Sequence, residues 1–285
     1  MILFQSMSSV TMWSALTVTI LIWYGTSRQP FGTAYLLLRS LATSRKYLLF
    51  FVSMSAILML NKNELKLERH FDVSYDLTKT LTGWEGSWHA GFQSFLHSDW
   101  LTAVCVFFYV VVFQSVMIAS IGVYTADRNL KMYYSFCIAL LLNYCIAVPF
   151  YLFVPVNEVW FAEPQVRFLM LDSFPTFEHA YRSLSGLDNC FPSLHTSISV
   201  TMALIASRSG NRRWMIFAWI NAGIIILSIF YLGIHWMTDM LAGCALSVFA
   251  ATIGLKIGAW ADRTSPDPLL RRKKSKMQTS RSLGS

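Results

Sequence analysis

Long blocks of apolar residues, separated by short polar stretches, dominate this chain. Residues 100–126, 132–157 and 214–238 contain no Asp, Glu, Lys or Arg. A helix needs about 20 apolar residues to cross the hydrocarbon layer of a membrane, where every backbone polar group must be satisfied within the helix. The pattern predicts an all-α polytopic transmembrane helix bundle with spans near 8–25, 45–61, 100–124, 132–156, 191–207, 214–233 and 236–257. Six spans are the alternative to these seven: the second is short unless it begins before Arg39, and Phe31 to Thr43 would then form a re-entrant or interfacial helix. Between Lys62 and Asp99, charged residues mix with Trp84, Trp88, Phe92 and Phe95, a composition that suits amphipathic helices on the outer membrane surface.

Composition supports the membrane reading. The chain is 55% hydrophobic and 13% charged, against about 25% charged in soluble domains. No Lys or Arg precedes Arg28, so the first segment lacks the basic region of a secretory signal and reads as a retained helix. Cys105, Cys137, Cys145 and Cys244 fall inside expected spans and Cys190 in a loop, which implies no disulfide framework. With seven spans, 17 of the 23 Lys and Arg residues share one side. The positive-inside rule makes that side cytoplasmic, with the N-terminus outside and the C-terminus inside. The chain divides into N-terminal membrane helices and an interfacial segment (1–99), a helical core (100–260) and a disordered basic cytoplasmic tail (261–285) centred on Arg271-Arg272-Lys273-Lys274.

Ionisable side chains are costly in a bilayer, so those kept at the ends of apolar segments are functional candidates. His195, in Phe191-Pro192-Ser193-Leu194-His195, opens the fifth span from outside. His235 and Asp239, in His235-Trp236-Met237-Thr238-Asp239, open the seventh from the same side. On a helix, residues four apart share a face, so the Asp239 carboxylate can fix the tautomer of His235 and stabilise its imidazolium. That leaves the other ring nitrogen as base or nucleophile. Pro192 suits the first turn of a helix, with Asp188 or Asn189 near its cap, and such a helix end offers free amides and a positive dipole to a phosphate. Ser193 adds a hydroxyl. A nucleophilic histidine, an orienting carboxylate, a second histidine as general acid and amide donors together suit phosphoryl or phosphodiester transfer.

Phe191-Pro192-Ser193-Leu194-His195, together with Ser228 through His235-xxx-Asp239, resembles the second and third motifs of the phosphatidic acid phosphatase type 2 superfamily. Leu194 stands where many lipid phosphatases have Gly, and this form is similar to the inositol phosphorylceramide synthase and inositolphosphotransferase branch; the sphingomyelin synthases are more distant relatives. The resemblance covers roughly residues 100–257. It implies that His235 is the nucleophile, Asp239 its orienter and His195 the donor to the leaving group, with no metal or other cofactor required. It also implies a lipid phosphate or phospholipid substrate, with a lipid alcohol as possible acceptor, and no nucleic-acid partner. Two departures stand out. Ile229 occupies the place of the phosphate-binding Arg that follows Ser in the family pattern, and no Arg-Pro dipeptide occurs. Arg167 and Arg182, the only basic residues between Asn157 and Cys190, are the available substitutes as phosphate clamp.

Blander readings compete. A lone histidine in an apolar helix is more often a packing residue, and His70, His89, His97 and His179 are expected at the interface or surface. Two His and one Asp could ligate zinc, but neither HExxH nor paired cysteines are present. A transporter would place its ionisable groups near the midplane rather than at one interface. Asp127-Arg128-xx-Lys131-x-Tyr133-Tyr134, similar in a basic-tyrosine pattern to sphingomyelin synthases, lies on the cytoplasmic side and reads as an anchor. Asn143, Asn221, Gly223 and Gly233 read as helix-packing or kink residues.

Overall fold

A computed structural model describes residues 1–62, 76–86, 88–182 and 186–264. The basic tail from 265 onward and the part of the expected surface segment that holds Lys66, Arg69 and His70 lie outside the described residues. Among the described residues, ten helices carry the architecture: α1 (Met7–Thr26), α2 (Pro30–Thr43), α3 (Arg45–Lys62), α4 (Thr78–Glu85), α5 (Trp88–Leu96), α6 (Asp99–Ala126), α7 (Leu130–Phe153), α8 (Leu194–Ser207), α9 (Arg212–Tyr231) and α10 (Met237–Arg263). The described residues of the loop between α7 and α8 add short helical turns and an isolated bridge between Val156 and Asn189.

Helices α1, α6, α7, α9 and α10 are long and apolar enough to cross a membrane, while α2 and α3 pass that test only as a pair bent by 105°. Arg28, ahead of α2, donates to the Ala126 carbonyl; Lys46, after it, donates to the Ala261 carbonyl, and Tyr47 pairs with Thr125. Both ends of α2 therefore lie at one end of the bundle, as the re-entrant or interfacial alternative for Phe31 to Thr43 requires. Helix α8 has 14 residues, about 21 Å at 1.5 Å per residue, against a hydrocarbon thickness of about 30 Å.

Helix starts follow their side-chain caps. Ser98, Asn129, Ser193 and Asn211 each accept the amide three residues on. Helices α7, α8, α9 and α10 form the centre, with α10 packed along α7 and α8 against α7, α9 and α10; α1 and α2 lie on α6, and α3 on α7. In lipid, interhelical hydrogen bonds take the place of a hydrophobic driving force. Asn143 of α7 supplies them here, donating to Thr201 at 3.2 Å and accepting from Ser197, both on α8.

The connections gather at two ends. At one, the basic end, Asn211 donates to the Gly25 carbonyl and Asn129 to the Ser209 carbonyl. At the other, the amides of Leu3 and Phe4 donate to the Ser173 carbonyl, Leu77 donates to Pro155, and Val159 and Trp160 donate to Ile234 and Gly233. The histidines lie at this second end. Helices α4 and α5 flank it, exposing Trp84 and Phe95 while burying Leu81, His89 and Gln93. Gln93 ties the α7–α8 loop to α9, bonding the Arg167 backbone through both amide atoms and the Tyr231 carbonyl at 2.9 Å.

Candidate active site

Helix α9 stops at Tyr231 because Gly233 adopts a left-handed φ of 78°. A Cβ at Gly233 would also stand 2.9 Å from the Arg167 carbonyl, so glycine is needed twice over. The turn directs the amides of Ile234 and His235 onto the Ile229 carbonyl at 3.0 and 3.1 Å. His235 therefore lies outside the helix, and α10 begins at Met237 with Trp236 as its cap. Asp239, on the first turn, reaches back: its Oδ2 accepts the Trp236 amide at 2.9 Å and sits 3.3 Å from Nδ1 of His235. The expected shared helical face is corrected to a capping loop. The four-residue spacing still works, because a carboxylate that caps the helix bends toward the residue before the cap.

Glu85 of α4 closes the same helix end, its two oxygens accepting the amides of Met237 at 2.6 Å and Thr238 at 2.8 Å. Those amides are thereby occupied. The start of α8 is different. Ser193, rather than Asp188 or Asn189, is its cap: the hydroxyl accepts the Thr196 amide at 3.3 Å and the Ser193 amide donates to the Asp239 carbonyl at 3.1 Å. Pro192 precedes the helix, and Asn189 bridges to Val156. A Cβ on Gly243 would lie 2.6 Å from the Ser193 carbonyl, so this glycine lets α8 approach α10 closely. The amides of Leu194 and His195 have no protein acceptor among the described residues.

The His195 ring stacks on Tyr109 with centroids 4.0 Å apart and leans on Phe113 at 4.5 Å, with its centroid 6.2 Å from that of His235. Tyr109 belongs to a π-helical stretch of α6, Phe108–Val112, and Phe113 follows it. Such a bulge resets the helical register locally and is frequent at functional sites; here both aromatic rings contact one histidine.

A family model of the PAP2 superfamily matches residues 77–253, which contain every residue of this constellation. The chain belongs to the PAP2 superfamily. No curated protein and no solved structure matches it. Its all-helical fold, with five to six candidate membrane spans, is that of a PAP2 membrane bundle.

Within this PAP2 core the structure brings His195, His235 and Asp239 together and sets Ser193 beside them as a cap. Neither arginine has a hydrogen bond or ion pair with any of the three. The Arg167 side chain is 64% exposed and pairs with Asp172 at 3.3 Å. Arg182 lies in the loop, with all five guanidinium donors committed: two to Glu178 at 3.0 and 2.7 Å, two to Glu158 at 2.8 and 3.0 Å, and one to the Gly186 carbonyl at 3.3 Å. Burial pushes the Glu158 carboxyl above its usual range, against the opposing pull of Arg182, Trp160 and His235. Ile229 is fully buried and contributes its carbonyl to the turn.

Tyr109, Phe113, Glu85 and Glu158 were not legible as site neighbours. Tyr109 interrupts an otherwise aliphatic and phenyl run, and Glu85 is a lone acid between Trp84 and Gly86; either could have served as a signal. His89 is a correction. Expected at the interface or surface, it is fully buried, edge-on to Trp236 at 5.6 Å and beside Trp88 and Phe230. His97 and His179 are exposed. For a metal, the donor set differs from the two His and one Asp of the sequence reading: Cys190, His235 and Asp239 place their ligand atoms within 4.8 Å of one another.

Proposed function

We propose that this PAP2-superfamily protein is a lipid phosphotransferase or phosphatase that works through a phosphohistidine on His235. The observation that carries the reading is the contact of Asp239 Oδ2 with His235 Nδ1, 3.3 Å, beside a second imidazole 6.2 Å away. The carboxylate holds the proton on Nδ1 and leaves Nε2 with its lone pair. Nε2 attacks the phosphorus, and the bond to the leaving oxygen breaks. That oxygen keeps the electron pair and takes a proton from His195. Water or an alcohol then attacks the phosphohistidine, returning its proton to His195 as the N–P bond breaks. The free amides of Leu194 and His195 at the start of α8 are the donors for phosphate oxygens, with Ser193 holding that turn in place. Arg182 acts as a strut for the loop over the site rather than as a phosphate clamp, and the exposure of Arg167 fits a surface role.

A groove of about 370 Å³ between α7 and α10, lined by Ile146, Phe150, Phe191, Pro192, Leu246 and Phe249 among others, adjoins the Phe191–His195 segment and suits a hydrocarbon tail. The site faces the outside or a lumen, by the positive-inside rule, and the C-terminus is cytoplasmic. Leu194 in the motif favours transfer of a headgroup phosphate between lipids over hydrolysis. Product analysis on labelled phospholipids and prenyl phosphates, with and without a lipid alcohol, separates these outcomes. Wild type makes a new phosphodiester or releases phosphate and His235→Ala makes neither; equal turnover by the variant overturns the reading, and silence from both leaves a scaffold or transporter.

A further inference from the structure

At the end of the bundle opposite the histidines, a cavity of about 580 Å³ opens among the C-terminus of α1, the α6–α7 turn and the α8–α9 turn. That volume lies in the range of small-ligand sites. Arg28, Arg128, Arg212 and Arg213 line it, against one acid, Asp127. Its walls are joined to one another. Asn211 bridges the Gly25 carbonyl at 2.6 Å and Asp127 at 3.2 Å, Asn129 reaches the Ser209 carbonyl at 3.0 Å, Arg28 holds the Ala126 carbonyl, and Arg213 donates to Ser27 at 2.8 Å.

Membrane anchoring needs positive charge but neither a concave shape nor strain. This cavity has both. Ser27 at φ 53° and Arg128 at φ 51° are the two non-glycine residues with positive φ among the described residues, and both line it. A left-handed backbone at such residues costs about 1–3 kcal/mol and persists where the surrounding structure enforces it. Helices α7 and α9 also start here, at Leu130 and Arg212, adding the positive ends of their dipoles. Arg128 and Arg212 are exposed, and neither side chain has a hydrogen bond or ion pair with the described protein.

We propose that this cavity binds a phosphate-bearing anion on the face remote from catalysis. Four guanidiniums suit a phosphomonoester dianion, two of them fixed by the protein and two open for bidentate contact. The anion could be a lipid headgroup from the adjacent leaflet or free phosphate. The test reconstitutes the full chain in phosphatidylcholine nanodiscs with or without phosphatidylinositol 4-phosphate, and separately titrates inorganic phosphate. Bound ligand is read by native mass spectrometry and by the unfolding midpoint. The Arg128→Gln/Arg212→Gln variant removes two open donors; Arg39→Gln/Arg45→Gln removes equal charge from the same end but outside the cavity. The expected result is binding that weakens by about tenfold or more in the first variant only. Dependence on the phosphorylated lipid identifies a headgroup, and the same variant pattern with inorganic phosphate alone identifies the free anion. Equal loss in both variants, or no binding of either probe, overturns the proposal.

Discussion

At the residue scale, one carboxylate does two jobs. Asp239 caps α10 through the Trp236 amide and orients His235 with the same oxygen. Asp239→Asn keeps the size and one acceptor but can present an NH2 group to the imidazole and reverse its tautomer; kcat is expected to fall by roughly three to four orders of magnitude with the fold intact. Steady-state kinetics beside a circular-dichroism melt checks this, and a large loss of stability would reassign the residue to structure. His89 gives a pH signature. Burial lowers its pKa, against the opposing pull of Glu85 and the His235 backbone, so the folded protein holds it neutral. The unfolded chain protonates it near pH 6.5, so this contribution to stability is complete above that value and declines as pH falls below it toward the lowered folded value. His89→Phe, which fits among Trp88, Phe230 and Trp236, is expected to flatten the acid side of the unfolding-midpoint curve. An unchanged acid slope would refute the assignment.

At the element scale, the site depends on where helices begin. Gly243→Val drives a side chain into the Ser193 carbonyl and displaces the start of α8, with a stability cost of about 1–3 kcal/mol. Activity is expected to fall further than stability, because His195 and the two free amides move together; a variant with wild-type turnover would show that the close approach is incidental. Glu85→Ala leaves the first amides of α10 unpaired and is expected to lower stability by about 1–3 kcal/mol, with Glu85→Gln intermediate, by thermal unfolding. The long spans α6, α7, α9 and α10 were legible because each is an apolar run bounded by polar turns. The break between α2 and α3 was legible as the re-entrant or interfacial alternative for Phe31 to Thr43, though not its angle of 105°; the π-helical stretch of α6 was not, since nothing in local composition marks it. The late start of α8 reflects tertiary structure as well: Ser193 takes the cap because its amide is bound by Asp239, a partner 46 residues away.

At the scale of the whole molecule, the sorting of helix ends was legible through charge. Arg28, Lys46, Arg128 and Arg213 gather at one end and the catalytic candidates at the other, as their sides in the sequence reading require. The partners of Glu85 and Arg182 were hidden, because they depend on how an interfacial segment and a long loop fold over the site from positions far apart in the chain. Purified enzyme is expected to keep its activity in chelator, because the proposed chemistry leaves His235 free; a chelator-sensitive, metal-restored activity would assign Cys190, His235 and Asp239 to a metal instead. The phosphohistidine itself is the most direct test. A substrate lipid labelled at phosphorus is mixed with purified protein, quenched within a turnover and digested. The label is expected on the peptide bearing His235, stable to alkali, labile to acid and absent from His235→Ala. Turnover with no trapped label on wild type, or label retained in His235→Ala, would contradict a covalent mechanism through this residue.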